Sequence, residues 1–168
     1  SHPERRVANE MRRDTSQLRQ NDTFLVLFDT FHDRRNGYLF YANAIGGLAD
    51  GQVTDEGPPN MDWNTVWNVR TANFEGGWTI EMAIPFKSLR YLPGREQTWG
   101  INLRRVVRWK NEWSYLAQVP RGAATEHLMS RKETGDRLRA GTVPVTEMRA
   151  GMIIGPGSAA YEVMRDLV

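Results

Sequence analysis

The chain has 168 residues, of which 40% are hydrophobic and 25% charged, with no cysteine and a formal net charge of +2. Those figures fit one globular domain with at most an appendage, and exclude disulfides, thiolate zinc sites and cysteine nucleophiles. The 22 basic residues include only three lysines (Lys87, Lys110, Lys132), so the small positive excess is carried by arginine to high pH; acids and bases alternate along the chain, and no nucleic-acid partner is expected.

No apolar run reaches the length of a helical membrane span, and Ser1-His2-Pro3-Glu4-Arg5-Arg6 is not a signal-peptide pattern, so localisation is left open. Residues Pro3 to Gln20 read as helical or irregular, with Val7, Met11 and Leu18 on a narrow apolar stripe among Arg5, Arg6, Arg12, Arg13 and Arg19. Such a segment is either a solvated, arginine-rich surface helix or a basic strip for an anionic partner. Thr23–His32 follows as a strand with Phe24, Val26 and Phe28 on one face and Leu25, Leu27 and Phe31 on the other, which requires cover on both sides. Asp33-Arg34-Arg35-Asn36-Gly37 is a hairpin loop whose Asn-Gly end suits positive φ, and Gly37–Ile45 returns as a second strand. Gly46–Asn60, with Gly46, Gly47, Gly51, Gly57, Pro58 and Pro59, reads as a mobile loop.

Val66–Ala72 and Trp78–Ile84 form a second predicted hairpin around Asn73–Gly77, its second arm alternating Trp78, Ile80, Met82 and Ile84 with Thr79, Glu81 and Ala83. Pro85 ends that strand, Phe86–Tyr91 allows one helical turn, and Thr98–Val107 and Trp113–Val119 supply two more strands. Repeated hairpins of this kind predict a mainly β, antiparallel sandwich or barrel. Beyond it, Glu126–Arg139, Val143–Ala150 and Ser158–Val168 read as helix, strand and helix, an α/β appendage over 122–168.

The stretches "NDTFLVLFDTFHDRRNGYLFYANAIGGLADGQVTDE", "DWNTVWNVRTANFEGGWTIEMAIPFKSLRY" and "QTWGINLRRVVRWKNEWSYLAQVPR" carry D-T-F-x-D-R-R-N-G, D-W-N-x-V-W, G-G-W-T-x-E-M-x-I-P-F and W-G-x-N-x-x-R patterns in that order. Over about residues 1–121 the chain resembles the family 9 carbohydrate-binding-module-like domain found at the front of large bacterial outer-membrane-associated proteins. The resemblance implies a sugar-binding type of β-sandwich, here truncated because the family's opening and closing strands are missing, with its binding put at risk by that loss. From about His127 to Val168 the chain resembles a piece of an atypical short-chain dehydrogenase. That piece has Gly155-Pro156-Gly157 but neither the third glycine of a phosphate loop nor a Tyr-x-x-x-Lys pair, so no NAD(P) cofactor is expected.

Two kinds of site compete for the function. Asp29, His32 and Asp33, with Asp22 upstream, could hold Zn²⁺ or Ca²⁺ and activate water for a small hydrolase, provided the strand ends early enough for the three side chains to converge. Asp33 is equally the natural opening residue of a hairpin loop. Sugar binding would instead use exposed aromatic rings: Trp63, Trp109 and Trp113 are the candidates, whereas Trp67, Trp78 and Trp99 read as core by alternation. A third reading is a self-associating structural fragment. A strand apolar on both faces, in a sandwich short of strands, leads to an expected homodimer or higher closed oligomer with an interface above ~2,000 Å².

Overall fold

A computed structural model describes residues 3–94 and 96–117. Seven strands are present: β1 (Thr23–Asp29), β2 (Gly37–Asn43), β3 (Leu48–Val53), β4 (Asn68–Phe74), β5 (Gly77–Ala83), β6 (Gly100–Val107) and β7 (Glu112–Tyr115). Five form an antiparallel sheet in the order β3-β2-β1-β6-β7, and β4 and β5 form a separate antiparallel hairpin. The expected mainly β, antiparallel architecture is therefore present. The helix–strand–helix expected over 122–168 lies outside the described residues, as do residues 118 and 119 of the last expected strand.

Alternation along β1 places two cores back to back. On one face Phe24, Val26 and Phe28 join Tyr38 and Phe40 of β2 and Leu103 of β6, and the β4–β5 hairpin closes over them with Ile80 and Met82. On the other face Leu25, Leu27, Leu39, Tyr41, Ala49 and Val53 are covered by Leu18, Met61 and Tyr115. All seven residues of β1 are buried. Described residues of the same chain thus pack on both faces of β1, and Val143–Ile154, a candidate for that cover, lies outside the described residues.

Much of that cover comes from the N-terminal segment, which is not the surface helix its arginines suggest. It contains two short 3-10 turns, Pro3–Arg5 and Ser16–Gln20, and otherwise runs as an extended strap. Leu18 is fully buried while Met11 is 61% exposed, so the apolar stripe expected of a helix does not form. Polar pairing holds the strap down instead. The fully buried Asn43 donates to the Glu10 carbonyl and to Asn21 Oδ1, and Asn21 Oδ1 also accepts from the backbone of Asn9 and Glu10. Gly47 lies beneath the crossing: a Cβ there would stand 2.3 Å from the Glu10 carbonyl oxygen and 2.9 Å from Leu18 Cδ2.

The segment Gly46–Asn60, expected to be a loop, contains β3. Glycine, proline and aspartate hide this strand from a propensity reading, because its stability is tertiary. Four of its outward backbone groups are engaged: Asp14 N–H donates to the Leu48 carbonyl, Asp14 Oδ1 accepts from Asp50 N–H, and Gln52 exchanges two hydrogen bonds with Asn60. Gly51 is the residue that lets the chain at Asn60 and Met61 return this closely, since an added Cβ would sit 3.0 Å from Met61 Sδ and 3.2 Å from the Asn60 carbonyl oxygen. The edge of the sheet is thereby occupied in cis.

Asp50 ties three segments together. Its carboxylate is completely buried and accepts from Arg13 Nη2 at 2.6 Å, Trp67 Nε1 at 2.9 Å and Thr65 N–H at 3.1 Å. The same Arg13 guanidinium donates to Asn64 Oδ1, the Thr65 carbonyl and Asp14 Oδ2.

Candidate functional site

The β1–β2 loop holds the proposed hydrolytic residues. β1 ends at Asp29, early enough for convergence, but the carboxylates turn to the backbone. Asp29 is buried and accepts from the N–H groups of Asp33 and Arg34; Asp33 accepts from the N–H groups of Arg35 and Asn36 and from Asn36 Nδ2. Positive φ falls at His32 (53°) and Arg34 (63°), not at the Asn36-Gly37 end as expected, because these two aspartate caps stabilise left-handed backbone inside the loop. Among the described residues no group of three or more His, Asp or Glu is arranged to hold a metal ion. Asp22 lies at the other end of β1, roughly 20 Å away at the usual rise per residue, and accepts from Arg108 N–H at 2.7 Å, fixing the turn after β6. The four acidic and histidine candidates therefore do not form one site.

The aromatic candidates divide. Trp63, one of the three candidates for ligand contact, is half-buried and packs on the first core, 4.9 Å from the Tyr38 ring centre and 6.1 Å from that of Phe40. Trp67 lies 5.2 Å from Phe40, so both rings face the same side, as their spacing implies. Trp78 and Trp99 pack against the same core, as alternation predicts.

Trp109 and Trp113 lie together on the β6–β7 hairpin. Its connection is a 3-10 turn, Arg108–Lys110, closed by Asn111 in left-handed conformation (φ 51°). The Arg5 guanidinium stands 5.0 Å and the Lys110 ammonium 5.3 Å from the centre of the Trp109 ring. Trp113, on the short edge strand β7, is 39% exposed and has the Arg104 guanidinium 5.2 Å from its centroid.

Register extends this feature across the sheet. Leu25 pairs with both Tyr41 and Arg104, and Arg104 pairs with Tyr115, so Tyr41, Leu25, Arg104 and Tyr115 form one rung with their side chains on the second-core face. Trp113 follows on that face, two residues before Tyr115. Burial pushes the Arg104 pKa below its ordinary value, opposed by the neighbouring Tyr115. Burial likewise raises Tyr41, opposed by the nearby Arg19 of the strap. Arg104 Nε is buried without a hydrogen-bond partner, and among the described residues no carboxylate lies within ion-pair distance of Arg104 or Arg19. Arg104, Tyr41 and Tyr115 were missed from the sequence, and Arg19 was singled out only as part of the N-terminal basic strip. Parity in Gly100–Val107 offers one signal, since Asn102, Arg104 and Val106 share the face opposite Leu103.

A second aromatic group, also missed, joins Phe86, Tyr91 and Trp99, with Phe86 55% exposed. These rings meet at 64°, 85° and 49°, so they pack on one another and present no flat platform.

Compared with protein-family models, curated proteins and solved structures, the chain matches none, and the functional reading rests on its own geometry.

Proposed function

We propose that this β-sandwich is a non-catalytic carbohydrate-binding module that meets its ligand on the β6–β7 hairpin. The observation that carries the reading is Trp113: a large ring on an edge strand, 39% exposed, beside the hydrogen-bonding groups of Arg104 and Tyr115. Pyranose C–H faces stack on such rings while flanking donors orient the hydroxyls. Trp109 at the hairpin tip extends the surface. Trp63 does not belong to it, because its ring stabilises the core.

Calorimetric titration of the full chain with a panel of neutral and acidic oligosaccharides tests this. Binding should be saturable, and Trp113→Ala should abolish it while thermal unfolding stays close to that of the parent. Tyr91→Ala serves as the control. Loss of binding in Tyr91→Ala with Trp113→Ala unaffected would place the site at the other aromatic group. No binding to any glycan leaves the rival readings, a metal-dependent hydrolase at Asp29, His32 and Asp33 or a structural fragment that self-associates. Hydrolysis that is lost on chelation would select the first.

A further inference from the structure

We propose that the ligand of the β6–β7 face is an acidic sugar, its carboxylate held by Arg104 and Arg19 while its ring lies against Trp113. This rests on the carbohydrate-binding reading and specifies its substrate class.

The sheet brings two guanidinium groups to one face. Arg104 comes from the interior of β6, with its guanidinium 5.2 Å from the Trp113 ring centre, and Arg19 follows Leu18 of the strap, which packs into the core on that same face. Asp14 also acts on Tyr41, but its own carboxylate is taken by Arg13, Asn64 and the backbone of Asp50. Neither Arg104 nor Arg19 has a carboxylate within ion-pair distance among the described residues, whereas Arg12, Arg13 and Arg35 each do.

A half-buried cation without a counter-charge keeps its desolvation cost uncompensated, and a bound anion removes it. Arginine also presents paired N–H donors that match a carboxylate, which a neutral hydroxyl cannot match in strength. Trp113 supplies the apolar half of the recognition. A neutral glycan would use the ring and leave both cations unanswered; a uronic acid would use both.

The test compares three probes on the full chain by calorimetry: a uronate oligosaccharide, a neutral oligosaccharide of the same length, and inorganic sulfate. The uronate should bind at least about tenfold tighter than the neutral sugar, the scale of one charge-assisted hydrogen bond. Arg104→Gln should remove that preference, read as the ratio of uronate to neutral affinity, which should fall from about tenfold to near one. Because Arg104 is half-buried, Arg19→Gln on the exposed strap provides a second variant with little risk to the fold, and it should reduce the same preference. Equal affinity for uronate and neutral sugar overturns the acidic specificity and leaves the carbohydrate-binding reading standing. Failure of both sugars overturns both. Sulfate binding as tightly as the uronate would also refute the acidic-sugar assignment.

Discussion

Replacing Asp50 should cost more stability than any other single polar substitution in the described fold. Its carboxylate is fully buried and accepts three hydrogen bonds, from Arg13, Trp67 and Thr65. In Asp50→Ala the indole N–H of the 3% exposed Trp67 loses its acceptor, as does the part-buried N–H of Thr65. Each orphaned donor costs about 1–3 kcal/mol. The Arg13 side chain is 38% exposed and retains Asn64, Asp14 and the Thr65 carbonyl, so its lost ion pair is discounted to about 1 kcal/mol or less. The terms sum to about 2–7 kcal/mol, which brackets the cost of breaking a buried charged pair and is a large share of a domain's stability. With a urea m-value near ~2 kcal/mol/M, the midpoint of a tryptophan-fluorescence unfolding curve should fall by about 2 M. Asp50→Asn should fall nearly as far, because its amide N–H₂ would face the Arg13 or Trp67 donors. A shift below about 0.5 M in Asp50→Ala would refute the claim that this carboxylate fastens strap, β3 and Trp67 together.

Gly47→Ala should destabilise by about 1–3 kcal/mol, since its Cβ would stand 2.3 Å from the Glu10 carbonyl oxygen and the strap would have to lift, read as a lower melting temperature. Glu10 is held from its ordinary 4.5 down to about 2, first by the Arg12 guanidinium and then by the Arg12 backbone N–H. A carboxylate depressed in this way contributes stability that is complete above 4.5 and lost as pH falls through about 2; the urea midpoint should drop across that window, Arg12→Ala should flatten the drop, and superimposable profiles would contradict the assignment. The homodimer expected from sequence now rests on the β4–β5 hairpin, whose two seven-residue strands pair with each other and with no further strand among the described residues. Sedimentation equilibrium at low micromolar concentration should show a homodimer or higher closed oligomer, and a monomer throughout would remove that expectation.

Apolar runs bounded by turn residues were enough to find β1, β2 and β6, and alternation with period two found β5, with β4 placed as its hairpin partner two residues early. They also showed that β1 needs cover on both faces, a requirement set by composition alone. What provides the cover was not legible. The strap is fastened by Asn21 to Asn43 and by Arg13 to Asp50, polar contacts 22 and 37 residues apart that no local pattern announces. β3 was lost for the same reason: Gly51 weakens its propensity because a returning chain must approach there, and Asp50 looks like a loop residue until Trp67 and Arg13 surround it. Asp29, His32 and Asp33 look like a metal set in sequence, yet the backbone of their own loop claims both carboxylates. Only pairing in the sheet aligned Tyr41, Arg104 and Tyr115 on one rung beside Trp113, since strand register brings distant residues to one face and the linear chain leaves it unspecified.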